Sequence, residues 1–416
     1  MKLKFLLAAG LIATTISAEA QNANRGFAIT GDGNNDYAWM NIREIDLSTG
    51  KVTATLFDRA KSTFNITDVM AKKTLNQTNI YDGTGYGASM YPTATFVAAA
   101  AFDNRSQKLF FIPMRMGQIR WMDVSSKSEV PNFYTIEIPG YVPSASNEES
   151  NNITRMVIGA DGNGYAITND ANHLYKFTTG KKPTVVDLGN VLDAEQNAGL
   201  SVHNKCTSWG GDMIADAFGK LYILSASKNI FEIDANTRVA TLKGSITGLP
   251  ANFTANGAAV DADGNVVLSS AVAFVGYYKM NMKDLAATLI AGSDVKYNAS
   301  DLASGNLLFQ KEADVARAAL VKPLIAATIT SESTVFPNPV TSNTFNLLLS
   351  GKLQGNYTII ISDLAGRAVQ SNKVAFSKGQ QVQQVNFLNK PTTGTYLVRV
   401  FDEKSIEILS DKIVIL

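Results

Sequence analysis

The sequence predicts an all-β protein in which a six-bladed β-propeller is followed by a small immunoglobulin-like β-sandwich. Three observations lead to this prediction. A unit of four short strands recurs between residues 26 and 322, the segment Pro337-Asn338-Pro339 interrupts the chain, and period-two strands then run to the C-terminus. The chain has 416 residues, 45% of them hydrophobic, which is enough material for two domains with their own cores.

Residues 1–20 have the pattern of a secretory signal peptide. Lys2 and Lys4 precede an apolar run from Phe5 to Ile16, and Ala18-Glu19-Ala20 provides small residues at the cleavage positions. The run is too short to span a bilayer, and no later segment is long and apolar enough to do so. We therefore expect an exported mature protein without a transmembrane segment.

Residues 21–322 are assigned to the propeller because their strands recur in groups of four. In one clear unit, strands are predicted at 153–159, 164–168, 172–178 and 184–188, with the turn Asp161-Gly162-Asn163-Gly164 between the first two. The first strand of a unit is rich in small residues, as in 257–260, which suits strands that crowd around a central axis. Such units, repeated about every 40–50 residues, are typical of β-propellers.

The number of blades follows from counting second strands. These are expected to begin near Phe27, Leu109, Tyr165, Leu221, Val266 and Leu307, which gives six units. The first unit has no obvious innermost strand and the last has no obvious outer one, so pairing of the two ends would close the ring. A β-sandwich or a solenoid is the alternative. The units resemble propellers of the NHL and six-bladed lactonase type, a resemblance of architecture that implies little about function.

Three long insertions point to a binding face. Residues 58–92, 141–152 and 190–209 all lie between the last strand of one unit and the first strand of the next. In propellers these connections emerge on the same face as the loops between second and third strands. The aromatic and imidazole side chains expected to contact a ligand there are Tyr81, Tyr86, Tyr91, His203 and Trp209. The alternative is that these side chains pack against their own loops.

A second group of polar residues occurs at or just before the innermost strands, where it would surround the mouth of the central channel. The group consists of Asn152, Asp212, Asn256 and Asn298. Carboxylate and amide oxygens suit a hard cation, so Ca²⁺ is the one ion that this group would bind, and no other cofactor is expected. Recognisable catalytic motifs are missing from the sequence, which favours a binding protein over an enzyme.

The charge of the chain argues against nucleic acid as a partner. Lys and Arg number 37 against 36 Asp and Glu, which leaves no field to attract a polyanion.

After a predicted linker at 323–334, residues 335–416 contain four motifs in order. They are Pro337-Asn338-Pro339, the turn residues Asp363, Gly366 and Arg367, then Gly394 with Tyr396, and finally Lys412 in the last strand. In this order the motifs resemble the type A C-terminal sorting domain of the type IX secretion system. The resemblance implies that the translocon of that system is a partner. It also implies export through the periplasm of a Gram-negative bacterium, to the outer cell surface or the medium.

The function expected from the sequence is binding or adhesion, to a glycan or a protein, through the face with the insertions. Two alternatives remain open. The first is a Ca²⁺-dependent, lactonase-like hydrolase or lyase acting at the channel mouth. The second is a structural component of the cell surface or of the gliding machinery.

Overall fold

The structure is a computed structural model that describes residues 23–33, 36–75, 91–142, 148–290, 297–317, 334–349, 354–364, 366–377 and 382–416. The predicted signal peptide (1–20) and residues 323–333 of the predicted linker lie outside these ranges. The chain divides between Gln310 and Lys311 into two compact units. The domain limits expected from the sequence, at 322 and 335, stay a prediction.

The first unit is built of short strands. They are β1 (Arg25–Thr30), β2 (Asn41–Asp46), β3 (Lys51–Phe57), β4 (Asn65–Asp68), β5 (Lys73–Thr74), β6 (Val97–Asp103), β7 (Lys108–Pro113), β8 (Gln118–Asp123), β9 (Asn132–Glu137), β10 (Ile153–Ile158), β11 (Gly164–Thr168), β12 (Leu174–Phe177), β13 (Val185–Asp187), β14 (Leu192–Asp193), β15 (Asp212–Ala215), β16 (Lys220–Leu224), β17 (Asn229–Asp234), β18 (Val239–Ser245), β19 (Gly257–Val260), β20 (Val266–Ser269), β21 (Tyr278–Met280), β22 (Ala287–Leu289) and β23 (Ala299–Ser304). A 3-10 turn (Glu195–Asn197) and the short helix α1 (Lys205–Ser208) interrupt them, and residues 310–317 are helical.

These strands form the blades of a propeller. Blade 1 has the order β23-β1-β2-β3, blade 2 has β6 to β9, blade 3 has β10 to β13, blade 4 has β15 to β18, and blade 5 has β19 to β22. The inner strands β6, β10, β15, β19 and β23 contact one another in sequence, and β23 in turn contacts β6. Because this circle of contacts is closed, the all-β propeller predicted from the sequence is confirmed, in place of the sandwich or solenoid.

The two ends of the propeller pair with each other, as expected. Strand β23 runs antiparallel to β1, with Gly26 opposite Ser304. The first and last units are therefore one blade, and the part of the chain that is described forms five blades rather than the predicted six. Leu307 begins no strand: Leu308 makes a single bridge to Asp216, and a helical stretch follows. The last sequence unit has a single strand, β23, and this strand is the inner strand that the first unit lacks.

Hydrophobic clusters lie between neighbouring blades, and small residues let the inner strands approach. A Cβ atom on Gly257 would lie 2.3 Å from the Ser269 hydroxyl and 2.8 Å from the Leu302 amide nitrogen, so β19 needs glycine there. Further out, large side chains fill the gaps between the sheets, such as Phe110 of blade 2 against Phe177 of blade 3. Residues are small near the axis and large farther out, which gives each blade its wedge shape.

Two of the insertions extend blades at their outer edges. In the first insertion, β4 pairs in parallel with β9 and adds to the edge of blade 2. In the third, β14 pairs in parallel with β18 of blade 4. Covering an edge strand satisfies its outward backbone groups, so these insertions stabilise the sheets as well as supplying loops.

The second unit is a β-sandwich with seven strands among its described residues. They are β24 (Thr334–Phe336), β25 (Thr344–Leu348), β26 (Gly355–Asp363), β27 (Ala368–Phe376), β28 (Val382–Asn386), β29 (Gly394–Phe401) and β30 (Glu407–Ile415). One sheet has the order β24-β25-β28 and the other β27-β26-β29-β30. Inward residues such as Phe345, Ile359 and Val398 form its core, and the predicted sandwich is confirmed.

Candidate functional site

The Pro-Asn-Pro motif attaches the start of the sandwich to its last strand. Both peptide bonds that precede its prolines are cis. Because Pro337 and Pro339 have no N–H, the side chain of Asn338 takes the place of backbone groups. Its Nδ2 donates to the Lys412 carbonyl at 2.6 Å, and its Oδ1 accepts from the Val414 amide at 2.9 Å. An asparagine between the prolines therefore completes the edge of β30.

The remaining motif residues of this unit are also structural. The carboxylate of Asp363 accepts from the Arg367 backbone amide at 3.0 Å and from its side-chain Nε at 2.8 Å, and Gly366 adopts a φ of +83°. These contacts form the turn between β26 and β27. Gly394 begins β29, and the Tyr396 hydroxyl donates to the Thr392 carbonyl at 2.9 Å. The four motifs thus fix turns and strand ends of one sandwich.

In the propeller, a cavity of about 330 Å³ lies at the mouth of the axis, where the inner strands begin. Its lining comes from every blade: Trp39, Thr95, Phe96, Ala98, Met114, Arg115, Glu149, Asn152, Thr154, Asn169, Gly210, Gly211, Asn256, Ala271 and Ser300. The far ends of the inner strands line only a void of about 10 Å³. Thr95, Glu149 and Gly210, which lie within or just after the three insertions, thus meet at this opening, on the face expected from the sequence.

Backbone conformation at this mouth is unusual. Thr95, Phe96 and Arg115 have φ angles of +61°, +69° and +62°, in the left-handed region that non-glycine residues rarely occupy. The Thr95 hydroxyl donates to the carbonyls of Ala94 and Met114, which holds this conformation in place. Such residues cost roughly 1–3 kcal/mol each and cluster at functional sites.

The four residues predicted to bind a metal lie at or just before inner strands, but they do not form a ligand cluster. Asp212, the only carboxylate, is buried, and its oxygens accept from the backbone amides of Met213 and Ala258, both at 2.6 Å. The Asn298 side chain donates to two backbone carbonyls, and the Asn256 Oδ1 accepts from the Ala271 amide. No group of three His, Cys, Asp or Glu suited to a metal occurs within the described ranges. This geometry does not support the predicted metal site, and Ca²⁺ binding stays a prediction.

Asp212 has a different partner that the sequence did not reveal. Its carboxyl group neighbours that of Asp301 on β23, and both residues are fully buried. Burial raises the pKa of both carboxyl groups well above the usual value, and the charge of Asp212 raises the pKa of Asp301 further. Backbone N–H groups, including those of Ala258 and Leu302, act against this rise at Asp212. The raised pKa values favour the uncharged form of these carboxyl groups, and the contacts of the pair involve three inner strands.

The predicted ligand-binding side chains have different surroundings. Tyr81 and Tyr86 lie outside the described residues. Tyr91 is only 5% exposed and packs edge-on against Phe64, so the expectation that it forms part of an exposed aromatic cluster is wrong. A tyrosine at the end of a long insertion here anchors that insertion to the core.

His203 and Trp209 are half-buried and tie down the third insertion. The ring nitrogens of His203 lie 2.5 Å from the Asp170 carbonyl and 2.9 Å from the Val191 carbonyl, and the Trp209 indole donates to the His203 carbonyl at 2.9 Å. The Lys205 ammonium lies 5.1 Å from the centre of the Trp209 ring. These contacts agree with the alternative given in the sequence analysis, in which the side chains pack against their own loops. Contact of His203 and Trp209 with a ligand stays a prediction.

Sequence reasoning missed the aromatic side chains that do lie at the mouth. Trp39 and Phe96 line the cavity, with ring centres 6.1 Å apart. Tyr37, on the same loop as Trp39, is 48% exposed and packs edge-on against Phe274. Three of these four come from loops between second and third strands, at 31–40 and 270–277. Loops of that class share a face with the insertions, so their aromatic content was a usable signal.

The fold and its motifs define a β-propeller followed by a sandwich that carries sorting motifs. Residues 334–416 match the family described as the secretion system C-terminal sorting domain. This part of the chain is therefore a C-terminal sorting domain of the type IX secretion system, as its motifs predicted, and the protein is exported to the cell surface or secreted. No curated protein matches the chain.

Several solved structures are similar to the chain at low identity. PorZ of Porphyromonas gingivalis, an essential surface component of its type IX secretion system, is 14% identical with a TM-score of 0.33; the match covers 94% of this chain and 51% of PorZ. The chain thus spans about half the length of PorZ. A putative 6-phosphogluconolactonase from Bacteroides uniformis is 12% identical with a TM-score of 0.32, covering 67% of this chain and 98% of that one. Virginiamycin B lyase from Staphylococcus aureus is 8% identical with a TM-score of 0.27, covering 76% and 84%.

The predicted likeness to lactonase-type propellers is thus found among these structures. Similarity at such low TM-scores does not indicate a function. The propeller fold is established by the strand pairing of this chain itself. Within the described residues, no helix has the length and apolar character needed to cross a membrane.

Proposed function

We propose that this protein is a binding protein of the cell surface, and that its propeller takes a glycan or protein ligand at the mouth of the axis. The observation that carries the proposal is the cavity of about 330 Å³ to which every blade contributes. Ligand sites are typically concave, mixed in polarity and few in a protein. Strained residues at its edge, Thr95, Phe96 and Arg115, support the same location.

The alternative of a Ca²⁺-dependent hydrolase or lyase depends on the metal site at the inner-strand starts. Since the oxygens of Asp212 accept from backbone amides, that alternative has less support than binding. Delivery by the sorting domain suits a protein that meets its ligand outside the cell. The sorting domain itself would interact with the secretion translocon after passage through the periplasm.

A cavity-filling substitution tests the proposal. Ala98 lines the cavity and is only partly buried, so Ala98→Phe should occupy the space without disturbing the core. The purified mature protein is screened against arrays of glycans and of extracellular proteins, and each hit is titrated. We expect A98F to weaken binding at least tenfold.

The matched control is Thr55→Phe, which adds the same side chain at an exposed position of β3. T55F should bind like the unmodified protein. A ligand that binds A98F and the unmodified protein equally well would show that this cavity is not the site. A screen without any ligand, repeated with Ca²⁺ and with a chelator, would favour a structural role at the surface.

A further inference from the structure

One side of the axial cavity is apolar and partly exposed. Trp39 of blade 1 meets Phe96 of blade 2 edge to face, with an interplanar angle of 72°, and Met114 adjoins them. Their backbones are held together, since the Val97 amide donates to the Trp39 carbonyl at 3.1 Å. Packing of this kind fixes the orientation of both rings, so that the flat face of one ring can stack on the apolar face of a ring-shaped ligand while the other ring borders the ligand.

Half of the amide and hydroxyl side chains that line the cavity belong to blade 3, and most of the six have hydrogen-bond partners. The Thr154 hydroxyl donates to the Asn169 Oδ1 at 2.7 Å, and the Asn169 Nδ2 donates to the Glu149 carbonyl at 2.9 Å. The Gly210 amide also donates to the Asn169 Oδ1, at 2.9 Å. Asn169 is therefore fixed in orientation and gives the polar wall a defined shape.

Asn152 differs from these neighbours because its side chain has no hydrogen bond within the described part of the chain. It lines the cavity, is only 3% exposed, and its Oδ1 is buried without a partner. The Trp39 indole N–H likewise has no acceptor among the described residues. Burying a polar group without a partner is unfavourable, and a ligand hydroxyl could supply the missing hydrogen bond to each of these two groups.

Arg115 and Glu149 are the charged side chains among the fifteen residues that line the cavity. Arg115 is half-buried and Glu149 is exposed, while the buried polar lining consists of amides and hydroxyls such as Asn152, Thr154 and Ser300. A charged ligand group placed among these neutral groups would lose its hydration without gaining a counterion. The buried part of the site therefore suits an uncharged group.

Size restricts the ligand further. At about 30 Å³ per water in the liquid, a volume of about 330 Å³ corresponds to roughly a dozen non-hydrogen atoms. One six-membered sugar ring with its hydroxyl groups is of this size, whereas a folded protein surface could insert only a single side chain.

From the aromatic surface, the unpartnered amide and the neutral lining, we propose that the cavity binds one uncharged sugar residue, at the end of a glycan. The apolar face of the sugar packs against the corner formed by the Trp39 and Phe96 rings, and its hydroxyl groups bond to the Asn152 amide and the Trp39 indole N–H. This inference rests on the proposed binding function and specifies its ligand class.

The test uses the mature full-length protein with two sets of probes. One is a glycan array with neutral and with acidic terminal residues, with methyl glycosides of glucose, galactose, mannose and N-acetylglucosamine as competitors. The other is a peptide array. We expect binding to neutral termini, competition by at least one methyl glycoside, and a loss of about tenfold or more in N152A and W39L.

Asn236→Ala is the matched control, because Asn236 is an exposed asparagine in the turn between β17 and β18 of blade 4. N236A should bind normally, and all variants are compared by thermal unfolding to establish that they fold. Glycan binding that is unchanged in both N152A and W39L would overturn the sugar site.

Two further outcomes separate this inference from the proposed function. Binding to peptides or acidic glycans alone, weakened by N152A and W39L, would overturn the sugar assignment and leave the binding function intact. Failure of the protein to bind any probe on either array would count against both.

Discussion

At the scale of single residues, the pair Asp212 and Asp301 is the least expected feature of the propeller. Two carboxyl groups lie together without solvent, and burial raises the pKa of each. Two backbone amides, those of Ala258 and Leu302, donate to the Asp212 carboxyl group at 2.6 and 3.4 Å. Ionising both carboxyl groups at this place would oppose like charges in a medium of low polarity.

The stability of the propeller should therefore depend on pH. The folded protein retains a proton on this pair at pH values where the unfolded chain has released it. The contribution of this pair to the free energy of unfolding is therefore largest at low pH. It falls as the pH rises above about 4, by up to about 1.4 kcal/mol per pH unit for each proton that the folded protein retains. In Asp301→Asn the amide can donate to Asp212 without a titrating proton. We expect denaturant unfolding of D301N to show a flatter pH profile between pH 4 and 8.

Glu129→Gln, at an exposed position, is the control and should keep the pH profile of the unmodified protein. If D301N does not fold, Asp212→Asn offers the same measurement from the other member of the pair. Identical pH profiles for the aspartate variants and the unmodified protein would contradict the retained proton.

The sequence located these residues without revealing their surroundings. Asn152, Asp212, Asn256 and Asn298 all lie at or directly before the start of an inner strand, as the repeat pattern predicts. Whether a side chain at such a position meets solvent, backbone or another carboxyl group depends on a strand two blades away. Asp301 lies near the middle of β23, and no sequence pattern identified it in advance.

At the scale of elements, the insertions are anchored from the blades they adjoin. Arg120 of β8 is almost fully buried, and its Nη1 donates to the carbonyls of Tyr91 and Pro92 at 2.6 and 2.8 Å. Burial lowers the pKa of Arg120 to about 10, which still leaves it charged at neutral pH. The first insertion is thus tied to blade 2 by a charged side chain as well as by the β4–β9 pairing.

Arg120→Met should release the end of this insertion. The substitution keeps most of the apolar volume but removes the Arg120 donor from the buried Pro92 carbonyl, and it leaves the Tyr91 carbonyl with the Ala94 amide as its donor. We expect this to lower the free energy of unfolding by roughly 1–3 kcal/mol. We expect a lower midpoint of denaturant unfolding and faster proteolysis within residues 58–75.

Lys127→Met removes a positive charge at an exposed site and serves as the control, with a change below about 0.5 kcal/mol. Equal stability and equal proteolysis of R120M and K127M would show that Arg120 does not hold the insertion.

At the scale of the whole molecule, the chain combines a β-propeller with a sorting domain. The sorting domain at 334–416 determines where the protein goes, and its motif residues hold the sandwich together through contacts such as Asn338 with β30. The binding proposal concerns only the propeller, whose cavity and closing strand lie before residue 310.

Deletion of residues 334–416 should stop export at the outer membrane. If the predicted signal peptide directs the chain across the inner membrane, the truncated protein should accumulate in the periplasm. We expect less than a tenth of the normal amount on the surface and in the medium. Immunoblots of cell fractions and medium provide the measurement. Leu388→Ala, at a strongly exposed position of the same domain, should be exported normally. Undiminished export of the truncated protein would refute the sorting role.

The sequence by itself determined what depends on local pattern. Period-two strands, turn residues and small-residue inner strands identified the propeller, and four motifs in order identified the sorting domain. These features could be predicted because each depends on residues close together in the chain.

Only the tertiary structure decided what depends on distant residues. Closure by β23 on β1 turns six sequence units into five blades, because the two ends of the repeat supply one sheet. The same closure brings Asp301 to Asp212 and Trp39 to Phe96. These contacts join elements from different blades, and no spacing along the chain encodes which side chains meet at the axis.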